Sequence, residues 1–490
     1  MKKLLILTAL ALLPLTLRAT PTRLLTLDNM QQLVPDDWDA TTYYSLSPHF
    51  KNHWYADSYA NGKSFGWAFL DVNIGTLVLW YNKDFEGGPA YSLAQSFSQP
   101  NVGISSVAFG IDSVSVVEPR EKRIQSPDTK LGLGFAVEVT DSLALALCFR
   151  LAQLNQTKDS DFADGSGGPM SLGTSTAYHT SAPGFGTMAS VASVNKYTNA
   201  QDENALLFSP QFSYQGESLA LDFKFDMFWP TVDNKHTEEV FNGTDTGSVT
   251  QTLKDKGRMN WFAKPKLRYF LSPTSSLVLR GSYGRLDLST EHRVKGSFSG
   301  TFVGNLANSY DLKDSDDEFG VDLWDAFLGV VKVWDKGKGL LVWGVGANGT
   351  TVKALATSYQ TRSGATAYED TVKAQVNDVT DIKLAVPVLI GSELSLAPWC
   401  KVRGMVQRNF FTATSTKTAT DDYFSDGTLS DHKDSSVSSD FGKDWSMNTG
   451  FGFYFGQFSW DTAMNLGFLA NAGTVGFINP LYQSSFAYEF

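Results

Sequence analysis

Residues 219–229 read LALDFKFDMFW. Leu219, Leu221, Phe223, Phe225, Met227 and Trp229 alternate with Ala220, Asp222, Lys224, Asp226 and Phe228. A period of two belongs to an extended strand, whose successive side chains point to opposite faces. A strand in a parallel sheet, covered on both sides, would be apolar throughout. One greasy and one charged face therefore point to an antiparallel strand with a wet side.

The same alternation recurs in both directions. Residues 131–139 (LGLGFAVEV) and 143–151 (LALALCFRL) repeat it, as do 258–270, 276–284, 339–347, 382–390, 394–407, 449–455 and 458–466. The connections alternate too. Short ones at Asp141-Ser142, Gln215 to Ser218, Lys336 to Gly339 and Gly391-Ser392 take turns with long polar ones at about 152–204, 230–257, 287–318, 349–380 and 408–444, read as loops with some strand extension. Short turns at one end and long loops at the other are the pattern of a transmembrane barrel. The last residues, Tyr482, Ser484, Phe486, Tyr488 and Phe490, also alternate. A frayed soluble terminus gains nothing from that, whereas in lipid the last strand must pair with the first, because each unpaired backbone group there costs several kcal/mol. The predicted fold is all-β: a transmembrane antiparallel barrel of about 14 strands. Counting back from the C-terminus gives 13 strands by residue 131, and runs between 64 and 114, including GWAFLD (66–71), GTLVLWY (75–81) and SSVAFGI (105–111), bring an even total of 14, or else 16.

Composition removes other classes. The chain has 490 residues, two cysteines, six histidines and a formal net charge of −11. So few cysteines exclude a disulfide-dense scaffold or a four-cysteine metal site, and the acidic balance argues against a nucleic-acid partner. Residues 1–19 (MKKLLILTALALLPLTLRA) carry Lys2 and Lys3 before an apolar run too short to span a bilayer, and predict a cleaved signal peptide. Three regions result: 1–19 signal peptide, 20–63 N-terminal segment and 64–490 barrel. The expected location is the outer membrane of a Gram-negative bacterium, among lipid and lipopolysaccharide.

With the apolar face toward lipid, parity aims a set of charges into the lumen: Glu138, Arg150, Asp222, Lys224, Asp226, Lys264, Lys266, Arg268, Arg280, Lys383, Lys401, Arg403 and Asp461. Strands 219–229 and 258–270 are expected hairpin partners, bringing Asp222, Lys224 and Asp226 beside Lys264, Lys266 and Arg268 as a mutually neutralising ladder. Arg268, Arg280, Lys401 and Arg403 have no acidic partner visible in the sequence, which leaves open a net-basic, solute-selecting stripe. Acidic loop residues (Asp159, Asp161, Asp164; Asp311, Asp314, Asp316, Asp317, Glu318) lack the spacing of a calcium loop and read as a solvated rim. Cys148 is expected inward and Cys400 outward, so both read as free thiols. No nucleophile elbow, paired acid motif or phosphate loop appears, and the histidines have no identifiable serine partner. No enzyme, metal or cofactor is expected.

Residues 20–63 are longer than a barrel needs in order to begin. Leu24, Leu25, Leu27, Met30, Leu33 and Val34 form a short amphipathic stretch, followed by Asp36-Asp37-Trp38-Asp39 and Ser47-Pro48. A segment this apolar folds most simply into the lumen as a plug, the alternative being a periplasmic extension. Asp36-Asp37 and Ser45-Leu46-Ser47-Pro48 together resemble the hatch of the FadL family of outer-membrane transporters for long-chain fatty acids and other hydrophobic compounds, with Ser47 and His49 where the family has Asn and Ala around the proline. The opening, Thr22-Arg23 followed by an acidic and then a Pro-containing stretch, is more similar still to a group of uncharacterised bacterial outer-membrane proteins. The ending Phe486, Tyr488 and Phe490 resembles the aromatic signal read by the barrel assembly machinery. The resemblance implies hatch residues Asp36, Asp37 and Pro48, and a solute that leaves sideways through a gap in the wall, for which the strand prolines Pro265 and Pro387 are candidates. The expected function is a passive channel or transporter for small, hydrophobic molecules. The alternatives are a general hydrophilic porin and a structural or secretion-accessory barrel. Oligomeric state is left open.

Overall fold

The computed structural model describes residues 21–28, 31–34, 39–59, 64–81, 129–161, 196–242, 245–255, 257–299, 309–334, 338–361, 371–423, 429–441, 445–465 and 481–489. The expected signal peptide, Asp36, Asp37, the 105–111 run and Phe490 lie outside them.

Among the described residues, eighteen strands form one sheet. They are β1 (His53–Tyr59), β2 (Ser64–Asp71), β3 (Thr76–Tyr81), β4 (Thr129–Thr140), β5 (Leu143–Asp161), β6 (Lys196–Gln215), β7 (Leu219–Asn242), β8 (Asp245–Asp255), β9 (Asn260–Ser272), β10 (Ser275–Ser299), β11 (Ser309–Trp334), β12 (Gly339–Thr361), β13 (Thr371–Ala397), β14 (Cys400–Tyr423), β15 (Leu429–Asp440), β16 (Trp445–Phe455), β17 (Phe458–Asn465) and β18 (Leu481–Glu489). Adjacent wall positions pair antiparallel, and β1 closes the ring by pairing with both β18 (Trp54↔Tyr488) and β2 (Trp54↔Ala68). The lipid-side argument for pairing the last strand is thus met by residues 53–59.

Two wall positions are each filled by two segments. β8 and β9 follow one another between β7 and β10, and β15 and β16 follow one another along β14. The result is a closed barrel of 16 strands, which corrects the favoured count of 14. The two additional strands lie before residue 129: β2 and β3 are separate strands where the favoured count allowed one, and β1 is the other. Residues 53–59 fall within the expected N-terminal segment, 20–63, yet they pair on both sides and belong to the wall. A second correction concerns Gly391-Ser392, expected as a turn: β13 runs through them to Ala397, and the turn falls at Pro398-Trp399. The long connections also carry more ladder than loop. β10 and β11 stay paired out to Ser297↔Ser309, with one register shift between His292 and Arg293.

The outward face carries the alternating apolar residues. Exposed aromatics gather near the short-turn end (Trp54, Tyr214, Tyr269, Trp334, Phe455, Tyr488) and again farther along the strands (Trp229, Tyr283, Phe410, Trp445). Between them lie exposed Leu133, Phe135, Leu147, Phe149, Leu279 and Leu328. On β16 the two bands are marked by Trp445 and Phe455. That separation is about 33 Å of strand at about 3.3 Å per residue, or about 25 Å of height at the usual barrel tilt.

Candidate functional site

The inner face is organised around the N-terminal segment. A short helix α1 (Pro21–Leu25) packs against β16, β17 and β18, while a 3₁₀ turn (Tyr44–Phe50) packs against β2 to β6 on another arc of the ring. The described residues between them, 26–28, 31–34 and 39–43, therefore lie inside the barrel, toward its short-turn end. Leu24, Leu27, Leu33 and Val34 are wholly buried, and pack with Phe327, Val331, Val342 and Leu389 of the inner wall. Asp28 turns the chain back on itself: its Oδ2 accepts from the Leu33 and Val34 amides at 2.8 and 3.2 Å. The wall makes room for this backbone at Gly391. A Cβ there would sit 1.8 Å from the Leu27 carbonyl oxygen, so the glycine read as a turn signal is instead a socket for the plug.

Two charge clusters join segment to wall. In the first, Glu393 accepts from Arg23 Nε at 2.9 Å, Lys401 Nζ at 3.0 Å and Arg403 Nε at 2.6 Å. Arg403 also donates to Asp461 and to the Tyr454 hydroxyl, and both Arg403 and Asp461 are fully buried. In the second, Asp39, at the start of helix α2 (Asp39–Thr42), accepts from Lys266 Nζ at 2.6 Å and Arg268 Nη2 at 3.2 Å, one cation on each oxygen. Beside it, Lys224 Nζ meets Asp226 at 2.9 Å. The strand register sets Asp222 opposite Lys266, but sets Lys224 opposite Lys264. The expected ladder is therefore only partly one of opposite charges; Lys266 and Arg268 turn to the plug instead.

A stacked column adds to the grip. The Tyr44 ring lies on Trp80 with centroids 4.7 Å apart, Arg150 covers Trp80 at 5.9 Å, and Lys224 lies 5.8 Å from the Tyr44 ring centre. Cations over aromatic faces contribute about 0.5–2 kcal/mol each, more where water is excluded.

The four cations left without a visible partner in the sequence all find one: Arg268 on Asp39, Arg280 on Asp325, Lys401 on Glu393, and Arg403 on Glu393 and Asp461. The free basic stripe considered above is corrected accordingly. Sequence reasoning missed Arg23, Asp39, Asp325 and Glu393. Glu393 was legible in principle, because Leu389, Gly391 and Glu393 keep the inward parity of β13 once the turn is moved. Pro48 is buried within the 3₁₀ turn. Pro387 sits at a register shift in the β13–β14 ladder, and the β9–β10 ladder skips the stretch facing Pro265. Cys148 and Cys400 are both buried, and no disulfide joins them. Phe486 stacks on Phe458 and Trp460 next to the closing seam.

Farther from the short turns the inner wall changes character. Along β7, Asp222, Lys224 and Asp226 give way to Phe228 and Val232; along β10, Arg280 gives way to Leu286 and Leu288; β11 carries Phe319 and Val321 beyond Asp325. With Leu207, Phe262 and Val352 these form a second apolar cluster, apart from the one that holds the plug. Phe228 and Phe262 stack at 6.2 Å with nearly parallel rings. Among the described residues no group of three or more His, Cys, Asp and Glu could hold a metal ion.

No family model and no curated protein matches the chain. Solved structures similar to it include the Pseudomonas putida toluene transporter TodX (9% identity, TM-score 0.30, covering 90% of this chain and 87% of that one) and the Ralstonia pickettii toluene transporter TbuX (11%, 0.28, 74% and 81%). The ferric citrate transporter FecA is also similar (9%, 0.30, 89% and 71%). TodX and TbuX are hydrocarbon transporters of the FadL family, the family whose hatch the N-terminal segment resembles. Likenesses this distant carry no argument about what passes through the barrel.

Proposed function

We propose that the protein is an outer-membrane barrel that lets small apolar molecules pass passively, with the N-terminal segment as its gate. The observation that carries this reading is the apolar cluster on the inner wall beyond the plug. An aqueous porin keeps charge along its lumen, whereas here Leu207, Phe228, Phe262, Leu286, Phe319 and Val352 face inward together. Two aromatic bands about 25 Å apart around an apolar belt support the membrane setting. The filled short-turn end counts against free diffusion of hydrophilic solutes. In this reading the ladder interruptions at Pro265 and Pro387 are candidate places for a sideways exit, and β18, with Phe486 and Tyr488, is the strand offered to the assembly machinery.

The test is uptake of the neutral dye N-phenyl-1-naphthylamine by whole cells, whose lipopolysaccharide leaflet slows such compounds. Expression of the protein should raise the uptake rate. Phe228→Asp with Phe262→Asp should return it to background while the barrel still migrates as a folded band before heating. Steady ion conductance and sugar-driven liposome swelling, without faster dye uptake, would mean a hydrophilic porin instead.

A further inference from the structure

We propose that docking of the N-terminal segment is proton-linked, with acid tightening it in the lumen through Asp28 and neutral pH loosening it. The inference concerns the plug alone and stands whether or not apolar molecules pass.

One titratable group of the segment, Asp28, is enclosed where the segment packs inside the wall. Asp28 is wholly buried; Oδ2 is held by two amides, but Oδ1 has no hydrogen-bond partner. Burial raises its carboxyl to about 6, against the pull of the Val34 and Leu33 amides and of Lys266 on β9; Asp39 on α2 adds a smaller push upward. A group whose value is raised on docking holds a proton that the released chain gives up. Docking is therefore favoured below the free-chain value and weakens as pH climbs through about 6. Arg23 and Asp39 are held by wall groups of opposite charge in the clusters above, and set the baseline on which Asp28 acts. Below about pH 4 carboxylates in general lose charge, which confines the effect to roughly pH 5 to 7.5.

The experiment is hydrogen exchange on the full chain in detergent at pH 5.0 and 7.5, expressed as protection factors so that the intrinsic pH dependence cancels. The reporters are the Leu27 and Asp28 amides, both bonded to the Leu24 carbonyl. In the parent their protection should fall about tenfold from pH 5.0 to 7.5, the change that the raised Asp28 value implies. Asp28→Asn keeps an oxygen for the Leu33 and Val34 amides and should hold protection high at both pH values. Equal protection at both pH values in the parent, or an undiminished fall in the Asp28→Asn variant, would overturn the proposal. Failure of the conduit reading would look different: dye uptake would stay at background while the protection slope persisted.

Discussion

Arg23 and Arg403 both reach Glu393, yet they do different work. Arg403 is enclosed by Glu393, Asp461 and Tyr454, all of them wall residues. Removing it leaves two buried carboxylates short of a cation, and breaking a buried pair from one side costs about 3–5 kcal/mol. Arg23 belongs to the plug, and without it Glu393 keeps Lys401 and Arg403. Arg403→Met is therefore expected to lower barrel stability by about 3–5 kcal/mol in urea titrations, within the range for a broken buried pair. Arg23→Met should leave that midpoint nearly unchanged while reducing hydrogen-exchange protection of residues 22–28. Parity in the sequence aimed Lys401, Arg403 and Asp461 inward, because strand geometry is local. Their partners were not legible: Arg23 is 370 residues from Glu393, and only folding brings them within 2.9 Å.

At the scale of elements, β1 and the plug share one stretch of chain but belong to different layers. The plug ends with the 3₁₀ turn at Phe50, and β1 starts at His53 and closes the sheet. Deleting residues 20–50 should leave a barrel that still shows heat-modifiable migration and resists protease, with its lumen unplugged. Deleting residues 20–60 takes the closing strand away from β18, and the product should stay unfolded and be degraded, because an open sheet edge in lipid leaves its backbone groups unpaired. The sequence hid β1 for a physical reason. HWYADSY is polar in the middle and short, so it lacks the sustained alternation that marked β7 or β5. Its strand character comes from β2 and β18 on either side. Gly391 misled in a similar way: glycine often signals a turn, but here it admits the Leu27 carbonyl.

At the scale of the whole molecule, the outward belt should behave as a lipid-facing surface. Leu147 is exposed at mid-height on β5, while its neighbour Ala146 points inward and is buried. Leu147→Arg should destabilise the protein in lipid by about 2–4 kcal/mol, the cost of a cation near the bilayer midplane. The same variant should be almost neutral in the urea midpoint of a soluble sandwich that left this face in water. Carbonate extraction of envelopes gives the companion readout, with the parent protein remaining in the pellet.

The amino-acid sequence by itself determined the antiparallel barrel, the side of each clear strand that meets lipid, and the charges that point inward. Those follow from the period of two and from the need to pair every backbone group, both local or nearly local rules. Only the tertiary structure decided that the ring has 16 strands, that Arg23 and Asp39 anchor the plug, and that the lumen is charged beside the plug and gathers an apolar cluster beyond it. Those properties arise from contacts between residues hundreds of positions apart, which depend on register and closure around the ring and leave no periodic trace along the chain.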